Sequence, residues 1–159
     1  MPFRDGEFGM ITAFGSFHWF CDKVSVKEIQ RVLKRDGIFC TINNKEEGDL
    51  WKKCIRRVVK NVAGRVPPSP AKGYRPLAIL KRSGFSSIRK KVFRATERYS
   101  VPEALQYFQS MSIWNGIPPI HRPKVTRLLK QYLYSISEKG KIVRAVGFTV
   151  ITGQKKGEG

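Results

Sequence analysis

A chain of 159 residues, of which 41% are hydrophobic and 27% charged, is long enough to bury a core, which excludes a disordered protein and favours one globular domain. No apolar run reaches the roughly 18 residues of a membrane helix, and the charged start "MPFRDGEFGM" is unlike a secretion signal. The net charge of +19, from 31 Lys and Arg against 12 Asp and Glu, favours polyanionic partners, although the basic residues are spread along the chain and form no long tail.

These properties set the expected organisation. We expect a cytoplasmic protein without a membrane anchor, built as a single domain over residues 1–156 with a disordered tail over 157–159. Cys21, Cys40 and Cys54 are widely spaced and follow no Cys-x-x-Cys or Cys/His pattern. We therefore predict neither a disulfide nor a metal site.

The first elements predict a β-α-β unit. The apolar run "FGMITAF" is typical of a strand covered on both faces in a parallel sheet. Ser25 and Glu28 have the spacing of a capping box, which predicts a helix that begins near Ser25 and ends at a left-handed Gly37. "IFCTINN" follows as a second buried strand, and a helix joining two parallel strands implies a right-handed crossover.

The rest of the chain continues the alternation of helices and strands. "GDLWKKCIRRVVKNV" predicts an amphipathic helix, with an inner side formed by Leu50, Cys54, Ile55, Val58, Val59 and Val62. "AGRVPPSPAKGYRP" predicts a surface loop, "LAILKRSGF" a short helix that ends at Gly84, and "SSIRKKVFRATERYS" a strand with apolar side chains at Ile88, Val92 and Phe93. A capping box at Ser100 and Glu103 opens another helix, "KVTRLLKQYLYSIS" is a further helix, and "IVRAVGFTVITGQK" is the final strand. This order predicts a layered α/β domain.

Four stretches resemble the class I S-adenosylmethionine-dependent methyltransferases of the small-molecule type called methyltransferase type 11. "PFRDGEFGMITAFGSFHWF" is similar to the segment around the family's fourth strand, and "KEIQRVLKRDGIFCTINN" to its next helix, "RVLKPGG" turn and fifth strand. "LKRSGFSSIRKKVF" and "YSVPEALQYFQSMSIW" are similar to the C-terminal region, where the second of them covers the substrate pocket in many members. The resemblance implies a partial Rossmann-like methyltransferase sheet, with strands four to seven, an antiparallel last strand and helices on both faces.

The sequence also departs from the family pattern. In the family, S-adenosylmethionine is held by a Gly-rich loop after the first strand, an acidic residue that ends the second, and residues after the third, and this sequence contains none of these motifs. Gly9 stands where the family usually has Asp, and Arg35-Asp36 replaces Pro-Gly before Gly37. We therefore expect a truncated methyltransferase, the C-terminal half, that binds S-adenosylmethionine weakly or not at all alone and is inactive or weakly active.

Candidate site residues follow the first predicted strand, because ligands of open α/β sheets bind at the carboxyl ends of strands. His18 is the candidate catalytic residue, either as a base toward the substrate or as a donor that orients it. Phe14, Phe17 and Trp19 are candidate cofactor-binding residues, since a sulfonium is attracted to ring faces. The alternative for His18 is a packed side chain bonded to a backbone carbonyl, and for the rings it is a place in the core.

Candidate substrate-binding residues lie in two other places. Asn43 ends the second predicted strand, and Tyr107, Ser110 and Trp114 lie in the segment that resembles the family's pocket cover. The expected substrate is a small-molecule methyl acceptor. The alternative is a turn-forming pair for Asn43 and Asn44, and plain packing for the other three.

Two further partners are considered. Without the family's first three strands, "GMITAF" would be an apolar sheet edge, which predicts self-association or complementation by a separate N-terminal half. The competing interpretation of the +19 charge is a basic nucleic-acid-binding module on a residual α/β scaffold, which we favour less than the methyltransferase.

Overall fold

The computed structural model describes residues 2–46, 50–68 and 73–157. Its strands are β1 (Phe8–Phe14), β2 (Leu33–Glu46), β3 (Ser86–Ser100) and β4 (Lys141–Gln154). Its helices are α1 (Lys23–Val32), α2 (Leu50–Ala63), α3 (Pro76–Arg82), α4 (Val101–Ser110), α5 (Ser112–Asn115) and α6 (Arg122–Ile136), with 3-10 helices at Phe17–Trp19 and Pro119–His121. Part of the predicted proline-rich loop, the start of the predicted "GDLWKK" helix and residues 158–159 of the predicted tail lie outside the described residues.

The four strands form one mixed sheet in the order β1-β2-β4-β3. β1 and β2 are parallel, with Ala13 opposite Thr41 and Phe14 opposite Ile42. The end of β4 lies beside the start of β2, where the Lys155 N–H donates to the Gly37 carbonyl at 2.9 Å. It also lies beside the start of β3, where Ser86 Oγ donates to the Gln154 carbonyl at 3.1 Å. β4 is therefore antiparallel to both neighbours, and the predicted α/β fold with an antiparallel last strand is confirmed.

The chain divides into two compact units, and β3 and β4 contribute residues to both. The first unit comprises residues 1–44, 70–93 and 147–159, and the second comprises 45–69 and 94–146. The core of the first unit joins β1, α1, β2, α3 and β4 through Ala13, Phe17, Val26, Ile29, Leu33, Phe39, Ile79, Leu80, Phe85 and Ile151. The core of the second unit joins mainly α2, α4 and α6 through Trp51, Cys54, Ile55, Val58, Val59, Val101, Ala104, Phe108, Ile117, Val125, Leu129, Leu133 and Ile142.

The start of α1 differs from the prediction. Asp22 is the N-cap, because its carboxylate accepts hydrogen bonds from the Ser25 backbone N–H at 2.9 Å and from Ser25 Oγ at 2.6 Å. Glu28 does not complete a capping box with Ser25, since its carboxylate pairs with Arg31 one turn further along the helix. The predicted box is wrong because an acidic side chain three residues earlier captures the same backbone donor.

The end of α1 also differs. The helix ends at Val32, and the left-handed residue that follows is Asp36, near the start of β2, with φ of 59°, not Gly37. Gly37 is required for a different reason. A Cβ there would lie 2.8 Å from the Lys34 carbonyl oxygen and 3.2 Å from that of Gly9, so the residue serves close approach of two backbone segments.

Burial along β1 corrects the expectation that both its faces are covered. Ala13 is its one fully buried residue, whereas the side chains of Met10 and Phe14 are 56% and 60% exposed. The reason is the position of β1 at an edge of the sheet. Val92 and Phe93 of β3, the other edge strand, are exposed as well.

The inner side of α2 includes a residue that hydrophobic periodicity missed. Trp51 is buried and stacks on Phe108 with ring centroids 5.2 Å apart, whereas Leu50 is 59% exposed.

The capping box at Ser100 and Glu103 is present as predicted. In the described part of the chain, no helix combines the length and apolar character needed to cross a membrane.

Candidate functional site

The parallel pairing of β1 and β2 brings two predicted site residues to one edge of the sheet. Phe14, the last residue of β1, lies opposite Ile42, and the Gly15 N–H donates to the Ile42 carbonyl at 2.8 Å. Gly15 has φ of 60°, which turns the chain into the 3-10 helix that carries His18. Asn43 follows Ile42 directly. His18 and Asn43 therefore both lie at the carboxyl ends of the parallel strands.

A polar cluster, hereafter the edge cluster, consists of His18, Thr41, Asn43 and Tyr74. The Tyr74 hydroxyl lies 3.3 Å from Thr41 Oγ1, and Asn43 Nδ2 donates to Thr41 Oγ1 at 3.3 Å and contacts the Tyr74 hydroxyl at 3.5 Å. The ring of His18 meets that of Tyr74 edge to face, with centroids 5.8 Å apart. Thr41 is fully buried, while the other three are half-buried. Tyr74 thus links the two residues predicted from the sequence.

The ionisation of Tyr74 suits a hydrogen-bond donor. Burial raises the pKa of Tyr74, and its hydrogen bonds with Thr41 and Asn43 oppose this rise only in part. The phenol consequently stays protonated at neutral pH and carries one proton that it can donate.

Three aromatic side chains surround the turn that carries His18, in different environments. Trp19 is 60% exposed and its ring lies 5.1 Å from that of His18, while Phe14 is equally exposed and lies 6.2 Å from Phe148. Phe17 has no exposed surface and packs on Phe39 at 4.9 Å between ring centroids. Phe14 and Trp19 present ring surface to solvent, whereas Phe17 belongs to the core of the first unit.

Thr41 and Tyr74 were missed in the sequence, and each left a weak signal. Phe39, Thr41 and Asn43 alternate along β2, so they share one face of the strand, and Thr41 places a hydroxyl within an otherwise apolar stretch. Tyr74 follows Gly73, whose φ is 78°, in a loop that was expected to lie at the surface. An aromatic residue directly after a left-handed glycine could have indicated that the loop turns back onto the sheet.

The remaining predicted substrate residues belong to the second unit. Tyr107 on α4 is half-buried, and its hydroxyl accepts a hydrogen bond from Arg144 Nη2 at 3.1 Å. The Arg144 guanidinium also lies 4.4 Å from the centre of the Tyr107 ring and 4.9 Å from that of Trp51. Because arginine only donates, the Tyr107 hydroxyl keeps its own proton for another acceptor.

Ser110 and Trp114 have weaker local constraints. Ser110 Oγ is exposed and donates to the Tyr107 carbonyl at 2.8 Å, and Trp114 on α5 packs half-buried against the core of the second unit. Among the described residues, no three His, Cys, Asp or Glu side chains lie together as metal ligands would.

Known proteins share both sequence and fold with this chain. Residues 1–41 match a family model described as a methyltransferase domain. An uncharacterised methyltransferase of Schizosaccharomyces pombe is 24% identical over 155 residues, which cover 96% of this chain and 59% of that protein. The chain therefore spans less than two thirds of the length of this curated relative.

Two solved structures cover nearly the whole chain. A Type II methyltransferase from Anaeromyxobacter dehalogenans, so named in its description, matches with a TM-score of 0.63 and 17% identity over 97% of this chain and 67% of its own. A protein from Bacillus halodurans, also described as a methyltransferase, matches with a TM-score of 0.52 and 17% identity over 99% of this chain and 74% of its own. At these identities the structures establish a shared fold.

The topology agrees with these matches. The final strand is antiparallel, as the resemblance implied, and the structure places it between β2 and β3. Together, the family model over residues 1–41, the related sequence and the shared fold make the chain similar to methyltransferases in both sequence and architecture.

Proposed function

We propose that the edge cluster and the rings of Phe14 and Trp19 form the acceptor side of a methyltransferase site that acts on a small molecule. The observation that carries this proposal is the half-buried group of His18, Asn43 and Tyr74 at the carboxyl ends of two parallel strands, the edge at which α/β sheets bind ligands. S-adenosylmethionine, when bound, supplies an electrophilic methyl group on a sulfonium.

The residues present fit the sulfonium end of that cofactor. Phe14 and Trp19 expose ring surface on either side of the turn that follows β1, and ring faces attract a cation while they exclude water from it. His18 is proposed to take a proton from the methyl acceptor, or to hold the acceptor in line by donating to it. Asn43 and Tyr74 orient the acceptor through their amide and phenol groups, which matters because alignment of the two reactants supplies much of the acceleration.

The second unit is proposed to contribute substrate contacts of its own. Its α4 resembles the family's pocket-covering segment, and the proton of the Tyr107 hydroxyl is directed by the hydrogen bond that its oxygen accepts from Arg144. Ser110 and Trp114 are proposed as contacts on the same segment.

Binding by these 159 residues alone is proposed to be weak. The sequence contains no Gly-rich loop, which is the element that lets backbone approach such a cofactor closely, and the chain spans 59% of the related yeast methyltransferase. We also propose that the exposed edge of β1 pairs with another chain, either a second copy or a separate N-terminal half.

Nuclear magnetic resonance of the protein titrated with S-adenosylmethionine tests this site. We expect a dissociation constant in roughly the millimolar range, with shifts of the Trp19 indole and His18 imidazole signals and none for buried Trp51. Replacement of the exposed ring in Trp19→Ala should weaken binding about threefold or more, in line with a lost cation–π contact.

The matched control removes an aromatic ring at the opposite end of β1. Phe3 lies edge-on to Phe8, the first residue of the strand, with ring centroids 4.8 Å apart, and Phe3→Ala should bind the cofactor as wild type does. The proposal is wrong if neither the Trp19 nor the His18 signal moves, or if Phe3→Ala and Trp19→Ala weaken binding equally.

A further inference from the structure

A wide basic groove of about 1270 Å³ lies within the first unit, away from the side chains of the edge cluster. Its cationic side chains come from α1, from the start of β2 and from the residues after β4: they are Lys23, Lys27, Arg31, Arg35, Lys155 and Lys156. Its acidic side chains are Asp5 and Glu28. Cations therefore outnumber acids by four, in a recess that a ligand can enter.

The spacing along α1 arranges its cations in a row. Lys23, Lys27 and Arg31 are four residues apart, so they share one side of the helix, and they extend over about 12 Å at 1.5 Å per residue. A nucleic-acid strand presents a phosphate about every 3.4 Å along a duplex. Arg31 is paired with Glu28 and Asp5, so the lysines of the row, Lys23 and Lys27, lie about 6 Å apart along the helix and span about two phosphates of one strand.

The two acids of the groove are already engaged within the protein. Arg31 pairs with Glu28, 2.8 Å between Nε and Oε2, and also with Asp5. The hydrogen bonds from Arg31 lower the pKa of Glu28 to about 2, so this carboxylate stays charged and directed at Arg31 at neutral pH. Asp5 and Glu28 consequently do little to neutralise the lysines around them.

The lysines of the groove remain open to an external anion. Lys23, Lys27 and Lys156 are exposed, and no acidic side chain in the described ranges lies within ion-pair distance of them. Lys155 differs, because its Nζ donates to the Leu33 carbonyl at 2.9 Å and is thereby held at the wall of the groove.

We propose that the basic groove binds the phosphate backbone of a nucleic-acid duplex without reading its sequence. None of the described residues that line the groove is aromatic, so they offer no stacking platform of the kind that single-stranded nucleic acid uses. Among the same described residues, Val24 is the single one with an apolar side chain, so they do not supply the apolar anchors of a membrane-binding face. A row of cations in a recess matches a convex phosphate backbone better than a flat bilayer.

Fluorescence anisotropy with a short mixed-sequence DNA duplex, and with the RNA duplex of the same sequence, tests the groove. The double variant Lys23→Glu/Lys27→Glu should lower duplex affinity at least tenfold, and the slope of log K against log salt should fall by about two, one for each lost phosphate contact. A glutamate in the first turn is favoured by the helix dipole, and a glutamate at position 27 lies one turn before Arg31. The variant is therefore expected to fold, which circular dichroism checks.

The matched control is Lys52→Glu/Lys53→Glu on α2, which makes the same change in net charge at two exposed positions of the second unit. This control should lose less than about threefold in affinity, because it removes no groove lysine and weakens only the generic attraction that both variants weaken equally. Equal losses of affinity in both variants would show a general charge effect and overturn the proposal. Absence of duplex binding at about 50 mM salt would also overturn it. Binding to phosphatidylserine vesicles that the groove variant loses, with duplex binding unchanged, would reassign the groove to a membrane surface.

Discussion

At the scale of single residues, Arg144 is the buried charged side chain of the described structure. Its side chain is nearly fully buried between the rings of Trp51 and Tyr107, and Glu97 lies 3.1 Å from its Nε. A buried cation is tolerated only when charge and hydrogen-bond partners replace water. Glu97 also accepts a hydrogen bond from the Tyr99 hydroxyl at 3.0 Å, so one carboxylate serves both the arginine and the phenol.

The shared carboxylate leads to a prediction about alkaline pH. Burial, reinforced by the hydrogen bond to Glu97, raises the pKa of Tyr99 from 10.0 to about 12. Because the folded protein holds the Tyr99 proton more tightly than the unfolded chain, the protonated phenol contributes its full stability below pH 10. This contribution to the free energy of unfolding is lost as pH rises from 10 to about 12. We expect an ultraviolet titration of the tyrosines to contain a component near pH 12 that disappears in Tyr99→Phe.

The control for this titration is Tyr134→Phe, which removes an exposed phenol on α6 and should leave the late component in place. The assignment fails if Tyr99→Phe and wild type show the same titration curve.

At the scale of elements, the helix starts show how local chemistry selects a boundary. At α4, Ser100 and Glu103 bond to each other's backbone N–H groups, at 3.4 Å and 2.7 Å. At α1, the competing carboxylate of Asp22 takes the cap position instead of Ser25. Both starts use a short polar side chain to satisfy a backbone donor that the helix leaves open, and the difference lies in which side chain reaches the donor.

This comparison predicts the effect of removing a cap. Ser100→Ala should destabilise the protein by about 1 kcal/mol, since the Glu103 backbone N–H loses its acceptor. The matched control is Ser135→Ala within α6, where the serine hydroxyl donates to the Tyr132 carbonyl at 2.7 Å and alanine is the better helix former. Urea unfolding measures both. A loss in Ser135→Ala as large as that in Ser100→Ala would contradict the assignment of the cap.

At the scale of the whole molecule, two properties oppose each other. The edge strand β1 exposes Met10 and Phe14 together with backbone groups that can pair with another strand. The net charge of +19 repels a second copy, and salt screens this repulsion over about 8 Å at 0.15 M. Pairing at β1 should therefore depend on ionic strength.

Association through β1 is predicted to increase with salt. Analytical ultracentrifugation should show concentration-dependent association near 0.15 M salt, and Met10→Lys should suppress it, because a charge on an edge strand blocks strand pairing. Ile120→Lys is the control, since Ile120 is 84% exposed outside the sheet and its substitution adds the same charge. A monomer at every protein and salt concentration would refute pairing at β1. Equal suppression of association by both variants would show that net charge, and not the edge of β1, controls it.

Much of the fold was accessible from the sequence because its signals are local. The range of β3, the capping box of α4 and the parallel pairing of β1 with β2 follow from side-chain alternation, a four-residue motif and the β-α-β order. Two of the four residues in the edge cluster, His18 and Asn43, were predicted to lie at this edge, since Asn43 ends the second apolar run and His18 lies shortly after the first. Tyr74 was not, because its contact with Thr41 joins positions 33 residues apart.

The sequence by itself determined the order of helices and strands, since these depend on interactions between residues a few positions apart. It also determined the methyltransferase resemblance, since that depends on short motifs along the chain. The tertiary structure decided what long-range contacts control: the burial of Trp51 in place of Leu50, the exposure of β1 at the sheet edge and the closure of Tyr74 onto β2. It also brought α1 and the end of β4 together around one basic groove. Burial depends on which surfaces meet across the chain, and no local pattern contains that information.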